Sequence, residues 1–453
     1  MDMNEIDFKS NQEKVREKET KKVKKRTKLK KGIIQNIFCI LSILFIVICC
    51  IYYGKRLIKY YKIYNPKGSS DNTVYMAQSI LSKTPFVTDG DGAYRLSGNV
   101  IYKGEDVNNY VEFSNQLWRI LKVRSDNSIE LILDDYINIM PWNNVYTNYE
   151  KSDIYSYLNN VYIKSLNKSL LTTSSVCTDS ITSTTKITCD NLSINNYVNL
   201  LDVSSYLNSI QDGKTFISLE NNKIWLLNGN SSSKKVWNTS GSSITTSDSN
   251  SLYMIKPMIT ISSTSILDGG DGTKANPYKV KEENKKIMVG SYVKLDDDIY
   301  RVFDINDKVI KLELNSLSKK SYTYGKNNKF DADVSGSLAY YLNNTYLNSL
   351  SYKDKLVSTK WYVGEYTKSY KDTENDSIEA YVGILNMSDI KFGSSLLNYY
   401  LSTPVNEKLH IYNTVLAESK TSVSRPFRPA VAIKKNEKLS GSGTSSDPFV
   451  LED

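Results

Sequence analysis

The side chains able to do chemistry in this chain are few. One histidine, His410, occurs among 453 residues, so a His-based triad, a His-rich zinc site or a His acid–base relay lacks its parts. Asp89-Gly90-Asp91-Gly92 opens as a calcium loop does, but Val100 stands where an EF-hand needs its last carboxylate, and a tight turn is the expected use. Asp296-Asp297-Asp298 reads as a solvated hairpin tip, and no Gly-x-x-x-x-Gly-Lys phosphate loop occurs. Of five cysteines, Cys39, Cys49 and Cys50 fall in an apolar stretch, where they act as small apolar residues or acylation sites. Cys177 and Cys189 remain, with 11 residues between them and no further Cys or His nearby. A disulfide is expected there, two unpaired thiols are the alternative, and a metal site is poorly supplied with ligands. Because no set of acid, base and nucleophile recurs, the expectation is a protein that is not an enzyme and uses no cofactor or metal. Carboxylate pairs alone could still hydrolyse a substrate.

The elements that would position any site are written twice. Tyr110-Val111-Glu112-Phe113 through Trp118-Arg119-Ile120 returns as Tyr292-Val293-Lys294-Leu295 through Tyr300-Arg301-Val302, offset by 182. Tyr157-Leu158-Asn159-Asn160-Val161-Tyr162 returns as Tyr341-Leu342-Asn343-Asn344-Thr345-Tyr346, and Tyr197-Val198 as Tyr381-Val382, both offset by 184. Ile255-Lys256-Pro257 matches Phe427-Arg428-Pro429, and Gly270-Asp271-Gly272-Thr273 matches Gly441-Ser442-Gly443-Thr444. Blocks repeated in one order delimit copies at 86–281 and 286–453, each the size of an independent domain, with the charged joint Lys281–Lys286 between them. Each copy opens as a meander of β-branched and aromatic strands and continues into a helix. Ile154, Leu158, Val161, Tyr162 and Leu166 keep helical spacing behind Ser152-Asp153, and Leu338, Leu342, Tyr346 and Leu350 repeat it. Strands with a packed helix, not alternating, predict an α+β fold.

Between the copies, loops 172–196 and 228–251 differ from their counterparts 359–378 and 403–425 in length and composition. Binding usually resides on loops carried by a fixed scaffold. Asn228, Asn230, Trp237, Asp248, Trp361, Tyr362 and Tyr366 lie there and are the candidate ligand contacts, a mixture suited to sugar stacking or a protein contact. Solvated loops with anchoring aromatics are the alternative.

A different chemistry governs the N-terminal part. Ile33–Tyr53 is 21 residues long without a charge, and at ~1.5 Å per residue it reaches the ~30 Å of a hydrocarbon core. Eight basic residues in Lys21–Lys31 precede it and five more dispersed ones follow, which predicts a cytoplasmic basic tail at 1–31, a transmembrane helix at 32–53 and a stalk at 54–85 leading outside. Thr73–Leu81 is expected to add a short helix within that stalk. Beyond residue 67 the chain has 41 basic and 43 acidic side chains, so the net charge of +9 leaves no basic footprint on the body, and nucleic acid is not an expected partner.

The repeated blocks resemble an uncharacterised family of extracellular domains from Gram-positive bacteria, marked by Trp-Arg-Ile, Leu-Asn-Asn-x-Tyr, Trp-Leu-Arg-Ser, Arg-Pro and Gly-x-Gly-Thr. The resemblance covers nearly all of 86–453. It implies two tandem C-type-lectin-like domains after one N-terminal transmembrane helix, and a single-pass cell-membrane protein that binds or adheres to a glycan or a cell-envelope protein. A structural or assembly component of the envelope is the alternative, since such a fold carries no single function. The chain departs from the pattern where Trp225-Leu226-Leu227-Asn228 and Tyr400-Leu401-Ser402-Thr403 replace Trp-Leu-Arg-Ser. Without that arginine, Trp225 and Tyr400 read as core aromatics.

Overall fold

The computed structural model describes residues 16–24, 26, 36–54, 74–143, 147–185, 187, 189–190, 192–219, 222–231, 234–282, 286–392, 398–406, 408–412 and 417–452. The chain forms two compact units, Met1–Thr73 and Val74–Asp453. In the first, Asn36–Gly54 is one helix of 19 residues, long and apolar enough to cross a membrane. Cys39, Cys49 and Cys50 on it are free thiols. The first residues of the expected span, part of the basic run before it and residues 55–73 lie outside the described residues.

The second unit is α+β and mostly sheet. It begins earlier than the expected end of the stalk, because helix Met76–Lys83 buries Met76, Ala77 and Ile80. The Met76 amide donates to Ser265 O at 2.9 Å, so this segment is a piece of the body rather than of a stalk.

Both copies build their main sheet in the same order. In the first, Val198–Asn199, Met258–Ile261, Ile129–Leu133, Gln116–Val123 and Tyr110–Phe113 are successive neighbours, with Tyr278–Lys279 added in parallel. In the second the order is Val382–Gly383, Ala430–Lys434, Val309–Leu314, Asp298–Ile305 and Tyr292–Leu295, again with a final parallel strand, Phe449–Leu451. Even the irregularities repeat: the register shifts between Ile120 and Lys122 and between Val302 and Asp304. The closing glycines have a steric reason. Gly272 and Gly443 hold φ of +84° and +71°, and a Cβ on either would collide with the ring of Tyr278 or Phe449. The first hairpin turns at Ser114 and Asn115, with φ of 52° and 56°, the backbone that a two-residue turn between twisted strands requires.

The helical block is fastened to the sheet by its own motif. Ser152 and Ser337 accept from the amides of Tyr155 and Tyr340 and so cap the two helices. Asn159 Nδ2 donates to Val198 O at 3.1 Å, and Asn343 Nδ2 donates to Val382 O at 2.9 Å. Asn343 Oδ1 also accepts from Tyr381 N at 3.1 Å and Val382 N at 3.0 Å. Asn343→Ala is therefore expected to destabilise the body by about 2 kcal/mol, the scale of losing such bonds and leaving a half-buried amide unpaired. Asn344→Ala, on the exposed face, should stay within about 0.5 kcal/mol. Urea unfolding of the two variants measures the difference, and equal midpoints would reject the clamp.

The copies do not stand apart as beads. One apolar cluster joins Tyr136, Ile139, Ile224 and Met254 of the first to Phe303, Trp361, Leu385 and Leu401 of the second. Asn138 Nδ2 donates to Met387 O at 2.9 Å, and Lys391 Nζ donates to Asn138 Oδ1 at 3.2 Å. Tyr157 and Tyr370 meet edge to face at 5.3 Å, and Ser369 Oγ donates to Asp153 at 3.1 Å. Buried polar atoms of Asn138 and Lys391 that find partners across the junction as well as within their own copies tie the two copies into one body.

Candidate functional site

The loop residues expected to touch ligand are mostly engaged in packing. Asn228 is buried, with Oδ1 accepting from Val203 N at 2.9 Å and Nδ2 donating to Cys177 O and Asp179 O at 3.0 and 2.9 Å. Trp237 is buried and donates to Ile181 O at 3.2 Å, and Trp361 is buried and donates to Ala380 O at 2.8 Å. These three are core residues and not surface contacts, because each lies on the inward face of a strand. Asn230 is half-buried and Asp248 exposed. Tyr362 is half-buried between the ammonium groups of Lys360 and Lys311, at 5.2 and 5.5 Å. Tyr366 faces Asp153 of the first copy, and its hydroxyl is pushed up first by burial and then by that carboxylate.

The remaining candidates resolve simply. Cys177 and Cys189 form a disulfide, Cα–Cα 5.7 Å, and the neighbouring Asp179 Oδ2 accepts from Asp190 N at 2.6 Å. Asp91 Oδ2 accepts from Glu105 N and Asp106 N at 3.0 and 2.8 Å, and the chain bends through residues 88–91. Asp296 and Asp298 flank a hairpin tip and accept from Ser351 Oγ and Tyr352 OH at 2.7 and 2.6 Å. Trp225 and Tyr400 are fully buried. The side chain of His410 lies outside the described residues.

A site emerges instead where the copies meet. A cleft of about 690 Å³ lies between Glu112, Asp134 and Asp135 of the first copy and Tyr292, Arg301 and Phe392 of the second. A smaller cavity of about 310 Å³ shares the wall formed by Glu112, Asn115 and Lys279. Residues 393–397, beyond Phe392, are outside the described residues.

Arg301 is the feature that sequence reading passed over. Its counterpart Arg119 is fully provided for: Nε donates to Asn109 Oδ1 at 2.5 Å, Nη1 to Tyr110 OH at 3.0 Å, Nη2 to Val107 O at 2.9 Å, and Asp134 lies at 3.5 Å. Both guanidinium groups sit between two rings, Arg119 at 3.9 Å from Tyr110 and 4.9 Å from Phe216, Arg301 at 4.0 Å from Tyr292 and 4.7 Å from Phe392. Tyr292 keeps the place of Tyr110, but two other acceptors differ. Ser291 takes the place of Asn109, since Val302 N donates to Ser291 O as Ile120 N does to Asn109 O. Asn315 takes the place of Asp134, since its amide donates to Ile299 O as that of Asp134 does to Leu117 O. Arg301 Nε has no hydrogen-bond partner, and Nη2 makes a long contact with Asn115 O at 3.4 Å. Burial lowers the Arg301 pKa and Tyr292 opposes the shift, but an arginine does not discharge in a protein. The signal was legible in the aligned copies as an arginine retained while its partners changed.

No family model, no curated protein and no solved structure matches the chain.

Proposed function

We propose that this is a membrane-anchored extracellular binding protein whose site is the cleft between its two copies. The observation that carries the reading is the under-satisfied Arg301 on the wall of a cleft of about 690 Å³, the concave, mixed apolar and polar form usual for small-ligand sites. The apolar helix Asn36–Gly54 supports anchoring, and the Cys177–Cys189 disulfide fits an oxidising exterior. The motif blocks support a C-type-lectin-like class for each copy, with a glycan or an envelope component as ligand. A scaffolding role in the envelope is the second reading, favoured by the burial of Asn228, Trp237 and Trp361, which takes the loop contacts off the surface.

Two experiments test the proposal, the first its topology and the second its site. Protease added to intact, wall-stripped cells is expected to digest the body and spare a tag at residue 1; a protected body would overturn the extracellular assignment. The full chain in nanodiscs is expected to capture an envelope glycan or protein, and Glu112→Arg, which reverses charge in the cleft, should abolish capture while Asp248→Ala leaves it intact. Capture indifferent to Glu112→Arg would reject the cleft.

A further inference from the structure

We propose that the cleft receives a small zwitterion, its carboxylate docking on Arg301 and its ammonium facing the acidic wall that includes Glu112 and Asp135. The proposal rests on the reading of the cleft as the binding site and adds the ligand class.

Arg301 is a buried charge with no carboxylate hydrogen-bonded to it. A buried cation is ordinarily paired, because removing it from water without compensation is costly. Within this chain the same arginine position has been solved twice. In the first copy Asp134 supplies the carboxylate and Asn109 the acceptor for Nε. In the second copy neither is present: Ser291 Oγ accepts from Met288 N at 3.1 Å, and Glu313, opposite Arg301 on the neighbouring strand, pairs through Oε2 with Arg428 at 3.0 Å, leaves Oε1 without a hydrogen-bond partner and lies beyond ion-pair distance of Arg301. Among the described residues no carboxylate lies within ion-pair distance of Arg301. A carboxylate from outside would supply what Asp134 supplies to Arg119, and a planar guanidinium matches it with two parallel hydrogen bonds.

The acidic part of the lining restricts what the rest of the ligand can be. Glu112, Asp134 and Asp135 line the same cleft. Asp134 is held by Arg119 at 3.5 Å and Lys274 at 3.9 Å, whereas neither Glu112 nor Asp135 forms a salt bridge among the described residues. With Asp268 and Asp447, five carboxylates line the cleft against the two cations Lys279 and Arg301, and that excess repels a bare polyanion such as phosphate and attracts an ammonium. One molecule with both groups satisfies both walls, which is the charge pattern of an amino acid or a short peptide.

The test titrates the purified full chain in nanodiscs with glycylglycine, acetate, ethylamine and inorganic phosphate. Glycylglycine is expected to bind at least about tenfold more tightly than the other three, the scale of one further charge-assisted interaction. The decisive variant adds a group instead of removing one. Asn315→Asp restores the internal carboxylate of the first copy, and should raise the melting temperature while weakening glycylglycine about tenfold or more, because the ligand and the introduced carboxylate compete for one guanidinium. Ser291→Asn, which restores the Nε acceptor, should act in the same direction. Unchanged glycylglycine affinity in Asn315→Asp, or no preference over acetate, ethylamine and phosphate, overturns the assignment. If envelope capture still depends on Glu112 while glycylglycine does not bind, the ligand class fails and the cleft stands; if capture ignores Glu112 as well, both fail.

Discussion

Replacing Trp361 by alanine is expected to lower the stability of the body by about 3–5 kcal/mol, the range for removing a buried tryptophan. The indole is 3 % exposed, donates to Ala380 O at 2.8 Å and lies 6.4 Å from the ring of Phe303. Gly383 lies so close beneath it that a Cβ there would collide with the indole. The void left by alanine would therefore open where the apolar clusters of the two copies join. Chemical unfolding of the full chain followed by far-ultraviolet circular dichroism measures the loss. A variant of unchanged stability that loses envelope binding would return Trp361 to the ligand contacts.

Replacing Arg428 by methionine should cost about as much, about 3–5 kcal/mol, for an electrostatic reason. Arg428 and Glu313 are 0 % and 1 % exposed and pair at 3.0 Å. Burial already pushes Glu313 up to about 7, opposed by Arg428 and Lys391. Without Arg428 one opposing cation is gone, so the folded value rises further while the unfolded value stays near the ordinary 4.5. The folded chain then holds a proton that the unfolded chain releases, and the variant loses stability as pH rises from about 5 towards 8. Denaturation midpoints at those two pH values should show the larger deficit at pH 8. The double variant Arg428→Met, Glu313→Leu removes the stranded charge and should recover most of the loss. A pH-independent deficit, or a double variant no better than the single, would mean that Arg428 acts through packing alone.

Much of the architecture was legible in the chain because it rests on local rules. Alternating strands, a capped helical stripe and a glycine whose Cβ would strike the next aromatic ring are encoded within a few residues of one another. Repetition made them legible twice. The apolar helix is of the same kind, since length and composition alone make it long and apolar enough to span a bilayer.

What tertiary structure decided is which of two equivalent-looking side chains is satisfied. Trp237 and Trp361 stand in loops by composition and in the core by contact, because inward and outward faces of an added strand are one residue apart. The separation into two domains, read from the repeat, becomes one body once Asn138, Tyr157, Lys391 and Tyr370 meet across the junction. Arg119 and Arg301 occupy matching positions in the sequence, yet only the folded chain shows one ringed by acceptors and the other without a partner for Nε at the edge of a cleft. Satisfaction of a buried charge depends on groups distant along the chain, and folding alone brings them within hydrogen-bond reach.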